Sequence, residues 1–490
     1  MKQKLILIAV VIGVSPLLFS FCGFYVSKAD GTIKNKTSQV ILVRDGNRNV
    51  ITMYNDFQGE TKDFAMVVPV PVVLKKNDIH VVDQAIFQTL NDYSSPRLVE
   101  YYDQNPCHQD IMDMEMKSVA PSSSYMVVTD SAVKREDLGV KIEAKYLVGE
   151  YDILILSAKE SGGLKEWLTV NGYKIPKGAE EVLDPYVKSN LKFFVVKVNE
   201  REKQKLPGKF LRPLQISFNS PKFMLPIRLG MANADGDQDL IVYAFTRKGR
   251  VECTNYRNVN IATGNNVPLF IKKDFGSFYS NLFAHQWEKE NKNIGFLEYA
   301  WDVSPSNYMK CDPCVGNPPT QQDIVQAGVW WLQPNWEDYS NVDREDVTGN
   351  DNQVFFTRLH FRYNRRSFPQ DLAFQLTPDK TNFQARYIIK HPATGDLNCD
   401  AGRKYLQDLK KRRKNELQEL TVLTGRNIDN WREDIAVKEE EESNAAVQYV
   451  NLVPEFKQDM EKENRSPIGI ILVSIVLLGS AGILRWKGLV

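Results

Sequence analysis

Histidine and cysteine are scarce in this chain, five and six residues among 490, and apart from the pair Cys311 and Cys314 neither type is grouped as catalytic or metal-binding residues are. The histidines His80, His108, His285, His360 and His391 form no H-E-x-x-H pair, which excludes the zinc-peptidase signature. No G-x-S-x-G elbow and no phosphate-cradling glycine loop occurs either, so no cofactor is implied. Net charge is also lacking, with 62 basic residues against 61 acidic ones. Without a global field of one sign, nucleic acid is not an expected partner. Long apolar runs are confined to two places, and these determine the expected address of the protein.

The run Ile468 to Leu484 has Ile, Leu or Val at eleven of its seventeen positions. Each contributes roughly −0.3 to −0.6 kcal/mol on insertion, which outweighs three glycines and two serines. Pro467 can open the helix and Trp486 can sit at the far interface, so residues 467–486 read as one transmembrane helix in a lipid bilayer. Arg485 and Lys487 favour the cytoplasmic side, leaving 487–490 as a short cytoplasmic tail and the rest outside. At the other end, Lys2 and Lys4 precede the apolar segment Leu5 to Phe19. Residues 1–21 therefore read as a secretory signal peptide or an uncleaved anchor, with lipidation of Cys22 as a third reading.

Between these ends the chain is too long for one minimal core, and two units are expected, 22–205 and 206–431. Val40 to Val43, Val50 to Tyr54 and Phe64 to Val70 are Val- and Ile-rich strands, the first two joined by the turn Asp45-Gly46-Asn47. Asp83 to Tyr93 has the spacing of an amphipathic helix, and Tyr125 to Asp130 reads as a strand. Strict alternation from Val140 to Tyr146, then the continuous apolar run Tyr151 to Leu156, predicts a hairpin around Gly149. Helices follow near Trp167 and over Ala179 to Asn190, then a strand at Phe193 to Val198.

The prolines of 207–226 mark the expected junction between the units. Beyond it, Leu240 to Phe245, Ile294 to Trp301, Val354 to Tyr363 and Phe383 to Ile389 read as strands, and Phe275 to Asn291 as a helix. Arg403 to Thr424 carries a leucine stripe interrupted by Arg413, with Gly425 as its stop. Residues 432–466 read as a charged linker. The acidic run Glu439 to Glu442 lies in it, and the basic run Lys410 to Lys414 lies on the preceding helix. Strands and helices mix without a regular βαβ rhythm, which gives an α+β, strand-rich ectodomain with several helices and a single C-terminal span.

The stretches AMVVPVP (Ala65 to Pro71), AKYLVGEYDILILSAKES (Ala144 to Ser161), FTRKGRVE (Phe245 to Glu252) and CDPC (Cys311 to Cys314) occur in this order. Together they resemble the uncharacterised bacterial family known as domain of unknown function 2330, over Cys22 to about Trp431. The resemblance implies an exported bacterial envelope protein and carries over no activity, cofactor or partner.

Cys22, Cys107, Cys253, Cys311, Cys314 and Cys399 are disulfide candidates in an oxidising compartment, and six cysteines allow fifteen complete pairings. A bond between Cys311 and Cys314 closes a short loop, worth ~2 kcal/mol against ~5 kcal/mol for a loop as long as Cys253 to Cys399. The pair therefore either reaches distant partners or acts in redox chemistry. Residues Val315 to Pro319 cannot continue the helix that a thioredoxin-like nucleophile wants, and two further zinc ligands are not near.

Asn233, Asp235, Asp237 and Asp239 around Gly236 resemble part of a calcium loop without its closing Glu, so an acidic turn is the simpler reading. Trp330, Trp331 and Trp336 suit a core more than a sugar platform. The expected function is binding or scaffolding at the cell envelope, with the bilayer and an envelope protein or polymer as partners. The rivals are a tethered thiol-disulfide oxidoreductase using Cys311 and Cys314, and a hydrolase, which needs acids or histidines brought together in space.

Overall fold

The computed structural model describes residues 24–25, 34–35, 38–54, 57–58, 65–107, 140–171, 179–206, 211–232, 236–305, 317–333, 352–431 and 449–464. The expected span 467–486, the expected strand 125–130, His108, Trp336, Cys22, Cys311 and Cys314 lie outside the described residues. Among the described residues no helix is long and apolar enough to cross a membrane.

The chain divides into two units that are interleaved in sequence. The first takes residues up to 95, 124–260 and 290–384, and the second takes 96–123, 261–289 and 385 onward. The expected boundary at 205/206 does not separate them. The proline-bearing segment holds the strand Leu214–Asn219, which pairs with Arg48–Tyr54 on one side and Ile79–Val81 on the other. Pro213 and Pro221 flank the strand instead of interrupting it, so they cost no ladder bonds.

The first unit is built on two sheets. A nine-stranded sheet runs Arg257–Asn260, Ile294–Asp302, Phe355–Tyr363, Gln238–Thr246, Ser38–Asp45, Arg48–Tyr54, Leu214–Asn219 and Ile79–Val81, with Phe383–Gln384 added beside Ile294–Asp302. A five-stranded sheet runs Phe24–Tyr25, Ala65–Val70, Lys192–Val198, Tyr151–Ala158 and Val140–Val148. The two share a core: Val40, Leu42, Ile51 and Met53 from one meet Val68, Ile153, Ile155 and Val196 from the other. Alternation along each strand puts the next residues on the outer faces. Thus Leu164, Trp167, Leu183 and Tyr186 of the helices Ser161–Val170 and Ala179–Lys188 cover Phe193 and Val195 of the five-stranded sheet.

On the far face of the large sheet, Ile86, Phe87 and Leu90 of the helix Ala85–Ser94 join Ile41, Tyr243 and Phe356. Trp330 and Trp331 are buried in the same cluster, edge to face at 4.9 Å, with Arg48 and Arg247 over their rings. The result is helix, sheet, sheet, helix within one unit, with each sheet's two faces both buried.

The second unit pairs Arg97–Tyr102 with Arg386–His391 in parallel. The expected single strand 383–389 is therefore two strands, parted at Ala385 and serving different units. Phe278, Leu282 and Trp287 of the helix Phe275–Lys289 are buried, as are Leu409, Leu417 and Leu420 of the helix Asp400–Thr424. Arg413, which breaks the leucine stripe, is buried too, at 2% exposure. Gly425 ends the long helix in the left-handed conformation (φ 64°), and the ring of His285 fills the space that a Cβ there would occupy.

Cys107 and Cys399 are joined in a disulfide at the start of that helix, where Cys399 is the capping residue and its Sγ accepts from the Gly402 amide. Part of the expected linker is helical: Tyr449–Asn464 buries Leu452 and Phe456, four residues apart.

Candidate functional site

Three adjacent strands of the large sheet carry charge on a face that is otherwise apolar. Along Phe355–Tyr363 the alternate residues Arg358, His360 and Arg362 share one side, because a strand repeats every second residue. Register sets Arg362 opposite Asp239 and Arg358 opposite Tyr243 on the Gln238–Thr246 strand. On the other side, pairing with Ile294–Asp302 slips between Leu297 and Tyr299. The bulge inserts Glu298 outside the regular alternation and turns its carboxylate into the charged row.

Glu298 is fully buried and Arg358 is 4% exposed. One carboxylate oxygen of Glu298 accepts from Arg358 Nε at 2.6 Å, and the other lies 2.7 Å from His360 Nδ1. Arg362 forks Asp239 through Nε at 2.8 Å and Nη2 at 2.9 Å, while His360 Nε2 stands 3.5 Å from Asp239 Oδ1. Arg358 Nη1 reaches back to the helix Ala85–Ser94, donating to Asn91 Oδ1 at 3.0 Å and to Ser95 Oγ just beyond it at 3.2 Å. Its guanidinium lies over the Tyr243 ring at 5.4 Å.

Burial opposes a charge on His360, but the Glu298 and Asp239 carboxylates outweigh it and hold its pKa above the ordinary imidazole value. Burial opposes the charge on Asp239 as well, yet its contacts with His360 and Arg362 draw its pKa well below the usual carboxylate range. Burial pushes the Tyr243 phenol up to about 12. An imidazole between two carboxylates meets the proximity requirement of acid–base chemistry. Here those groups face one another, and none of the three lines the cleft described next. The row ties three strands to the helix packed on them.

At one end of the same strands lies a cleft of about 550 Å³. Gln238, the first residue of its strand, is 1% exposed, and neither its amide nitrogen nor its oxygen has a hydrogen-bond partner among the described residues. One wall is the turn after Phe355–Tyr363, where Asn364 Oδ1 accepts from the amides of Arg366 at 2.8 Å and Ser367 at 2.9 Å. Arg365 Nε donates to the Met231 carbonyl at 3.1 Å. Another wall is the turn 291–293 leading into Ile294–Asp302.

Asn291 and Lys292 both sit at positive φ, 64° and 68°. Two consecutive non-glycine residues in that region are held against a local cost that the surrounding structure must offset. Among the described residues the cleft is lined by three cationic side chains, Lys292, Arg365 and Arg366, and by no carboxylate.

The residues singled out in the sequence fall differently. Asp239 is not turned toward a cation loop, because Arg362 and His360 occupy it. Asp237 is held by the Asn364 side chain, and Asn233 and Asp235 lie outside the described residues. Among the described residues no group of three or more His, Cys, Asp or Glu side chains is placed to hold a metal. Cys399 bonds Cys107, whereas Cys253 keeps a buried free thiol with Sγ 3.3 Å from Asn255 Oδ1, and burial pushes its pKa up.

His391 Nε2 lies 2.8 Å from Glu100 and its ring stacks on Tyr102. Glu298, Arg358, Arg362 and Gln238 belong to no motif in the sequence, and His360 appears there only as one of five scattered histidines. The alternation Arg358-Leu359-His360-Phe361-Arg362 carries a signal for the three bases on one side of a strand, whereas Glu298 and Gln238 have none.

Residues 16–375 match the model of the family described as an uncharacterized protein conserved in bacteria, DUF2330, and the chain belongs to that family. The match stops short of the expected limit near Trp431, before the helix Asp400–Thr424 begins. No curated protein and no solved structure matches the chain.

Proposed function

For this member of the DUF2330 family we propose binding or scaffolding at the bacterial cell envelope, with both folded units outside the cytoplasm and residues 467–486 anchoring them in the bilayer. The anchor and its orientation rest on the apolar run and on the charges Arg485 and Lys487 that follow it. The observation that carries the binding role is the cleft of the first unit: about 550 Å³, with three cationic side chains and a buried amide among its described lining residues. A site of that size falls within the ~300–1,000 Å³ range of ligand sites, and its polar lining selects a polar occupant.

The test is cosedimentation of the full-length protein, in detergent, with purified bacterial cell-wall sacculi and their attached polymers. Saturable binding that falls roughly a hundredfold in Arg365→Ala/Arg366→Ala is the expected result, since each charged hydrogen bond is worth about tenfold and two are removed. No binding, or binding indifferent to the double substitution, would remove the cleft from this role.

A further inference from the structure

We infer that the cleft takes an acidic, hydroxyl-rich group: a sugar or polyol unit bearing a carboxylate or phosphate, presented by an envelope polymer. This deepens the binding role above and rests on it. Charge is the first ground. Lys292, Arg365 and Arg366 line one small cleft in a chain whose overall charge is only +1, and Asp237, a carboxylate beside the rim, is taken up by Asn364. Among the described residues the Arg366 side chain makes no ion pair, and Arg365 commits only its Nε, to the Met231 carbonyl. Planar guanidinium edges are suited to two-oxygen acceptors such as carboxylate and phosphate.

The second ground is Gln238. Its amide is buried at the cleft with both donor and acceptor unmatched by any described residue, and burying such a group unpaired is unfavourable. A bare oxyanion can satisfy only the donor. A hydroxyl can meet both, because it donates and accepts at once. Asn291, Asn293 and Ser367 add more groups of the same dual character. The third ground is the lining itself, which among the described residues includes no aromatic ring. Stacking, which would let a neutral sugar bind by its apolar face, is not offered, so charge and hydrogen bonds must carry recognition.

The test uses the full-length protein in detergent and four probes: oligogalacturonate, poly(glycerol phosphate), neutral dextran and polyglutamate. At least one of the first two should bind. That affinity should fall at least tenfold in Arg365→Ala/Arg366→Ala and also in Gln238→Glu, which sets a carboxylate against the ligand. It should weaken steeply when salt rises from about 0.1 M to about 1 M, where screening shortens from about 10 Å to about 3 Å. Unchanged circular dichroism melting of both variants shows that the fold is kept.

Which of the two acidic polyols binds identifies carboxylate or phosphate as the acid. Equal binding of dextran would overturn the need for charge, and equal binding of polyglutamate would overturn the need for hydroxyls. An unaffected Gln238→Glu would take the buried amide out of the site. If neither acidic polyol binds while sacculi still do, the ligand class falls and the envelope-binding role stands. If sacculi fail as well, both fall.

Discussion

Replacing Glu298 by alanine removes the fully buried carboxylate that faces both Arg358 and His360. Glu298 has no exposure, and it holds Arg358 Nε at 2.6 Å and His360 Nδ1 at 2.7 Å. Two unit charges about 4 Å apart interact by about 4 kcal/mol at an effective dielectric near 20. Most of that gain offsets the desolvation of the pair, so the pair itself adds little to stability. Deleting one partner is different, because Arg358 stays buried without its counter-charge. The expected cost is about 3–5 kcal/mol, a large share of the roughly 5–15 kcal/mol that holds a folded domain.

The assay is urea unfolding of the full-length protein in detergent, followed by tryptophan fluorescence and by hydrogen exchange of the amides in Phe355–Tyr363. With a slope of about 3 kcal/mol per molar urea, a 4 kcal/mol loss lowers the midpoint by about 1.3 M. Strand-resolved exchange assigns that loss to the first unit, because two units need not unfold in one step. In a double-mutant cycle, Glu298→Ala with Arg358→Met should cost less than the sum of the singles by about 1–3 kcal/mol. Simple additivity, or a single-mutant cost under about 1 kcal/mol, would refute the account of the charged row as a mutually dependent set.

The same row sets a pH dependence. Because the folded pKa of His360 is raised, its contribution is fully present below the unfolded value near 6.5 and is lost as pH rises through the folded value. Stability of the native chain should therefore decline from about pH 6.5 upward more steeply than that of His360→Gln, and parallel profiles would contradict the assignment. In the second unit, reduction of Cys107–Cys399, separated by 292 residues, should cost about 2–5 kcal/mol. A melting temperature that dithiothreitol leaves unchanged in the native chain would count against that bond, with Cys107→Ser/Cys399→Ser as the reference.

Much of the local structure was legible because its causes are local. Alternation from Val140 to Tyr146 and the glycine at 149 announce the hairpin, and the leucine stripe with Gly425 announces the long helix and its stop. What failed is non-local. Residues 432–466 read as linker because they are charged, yet Leu452 and Phe456 are buried and Tyr449–Asn464 is helical.

The basic run on the long helix is answered by Glu455 and Asp459 of the helix Tyr449–Asn464, through Lys410 at 3.1 Å and Lys414 at 2.9 and 3.3 Å. Each exposed pair is worth only ~0–1 kcal/mol, so burial of the two apolar residues does more to hold the helix than the charges do. The interleaving of the two units was invisible for a similar reason. Nothing in Phe383 to Ile389 marks Ala385 as the point where one strand ends and another begins, since that break depends on which neighbour each half pairs with.

The candidate site was illegible because it is a product of register. Gln238 and Asp239 are neighbours in sequence, and alternation sends them to opposite faces, one to the cleft and one to the charged row. A slip of one residue in the pairing of Gln238–Thr246 with Phe355–Tyr363 would exchange those faces and bury the wrong set. Apolar side chains resist such a slip only weakly here, because both faces of the sheet are covered and both are rich in Val, Leu and Phe.

The forked contact of Arg362 with Asp239 and the two-sided contact of Glu298 are satisfied in one register alone. That register also fixes where the three strands end. The turns at 291–293 and 364–367 leave from those ends, so the charged row sets the spacing of Lys292, Arg365 and Arg366 without lining the cleft. Pre-setting the walls in this way lowers the ordering cost of binding, which is what a polar, weakly enclosed site most needs.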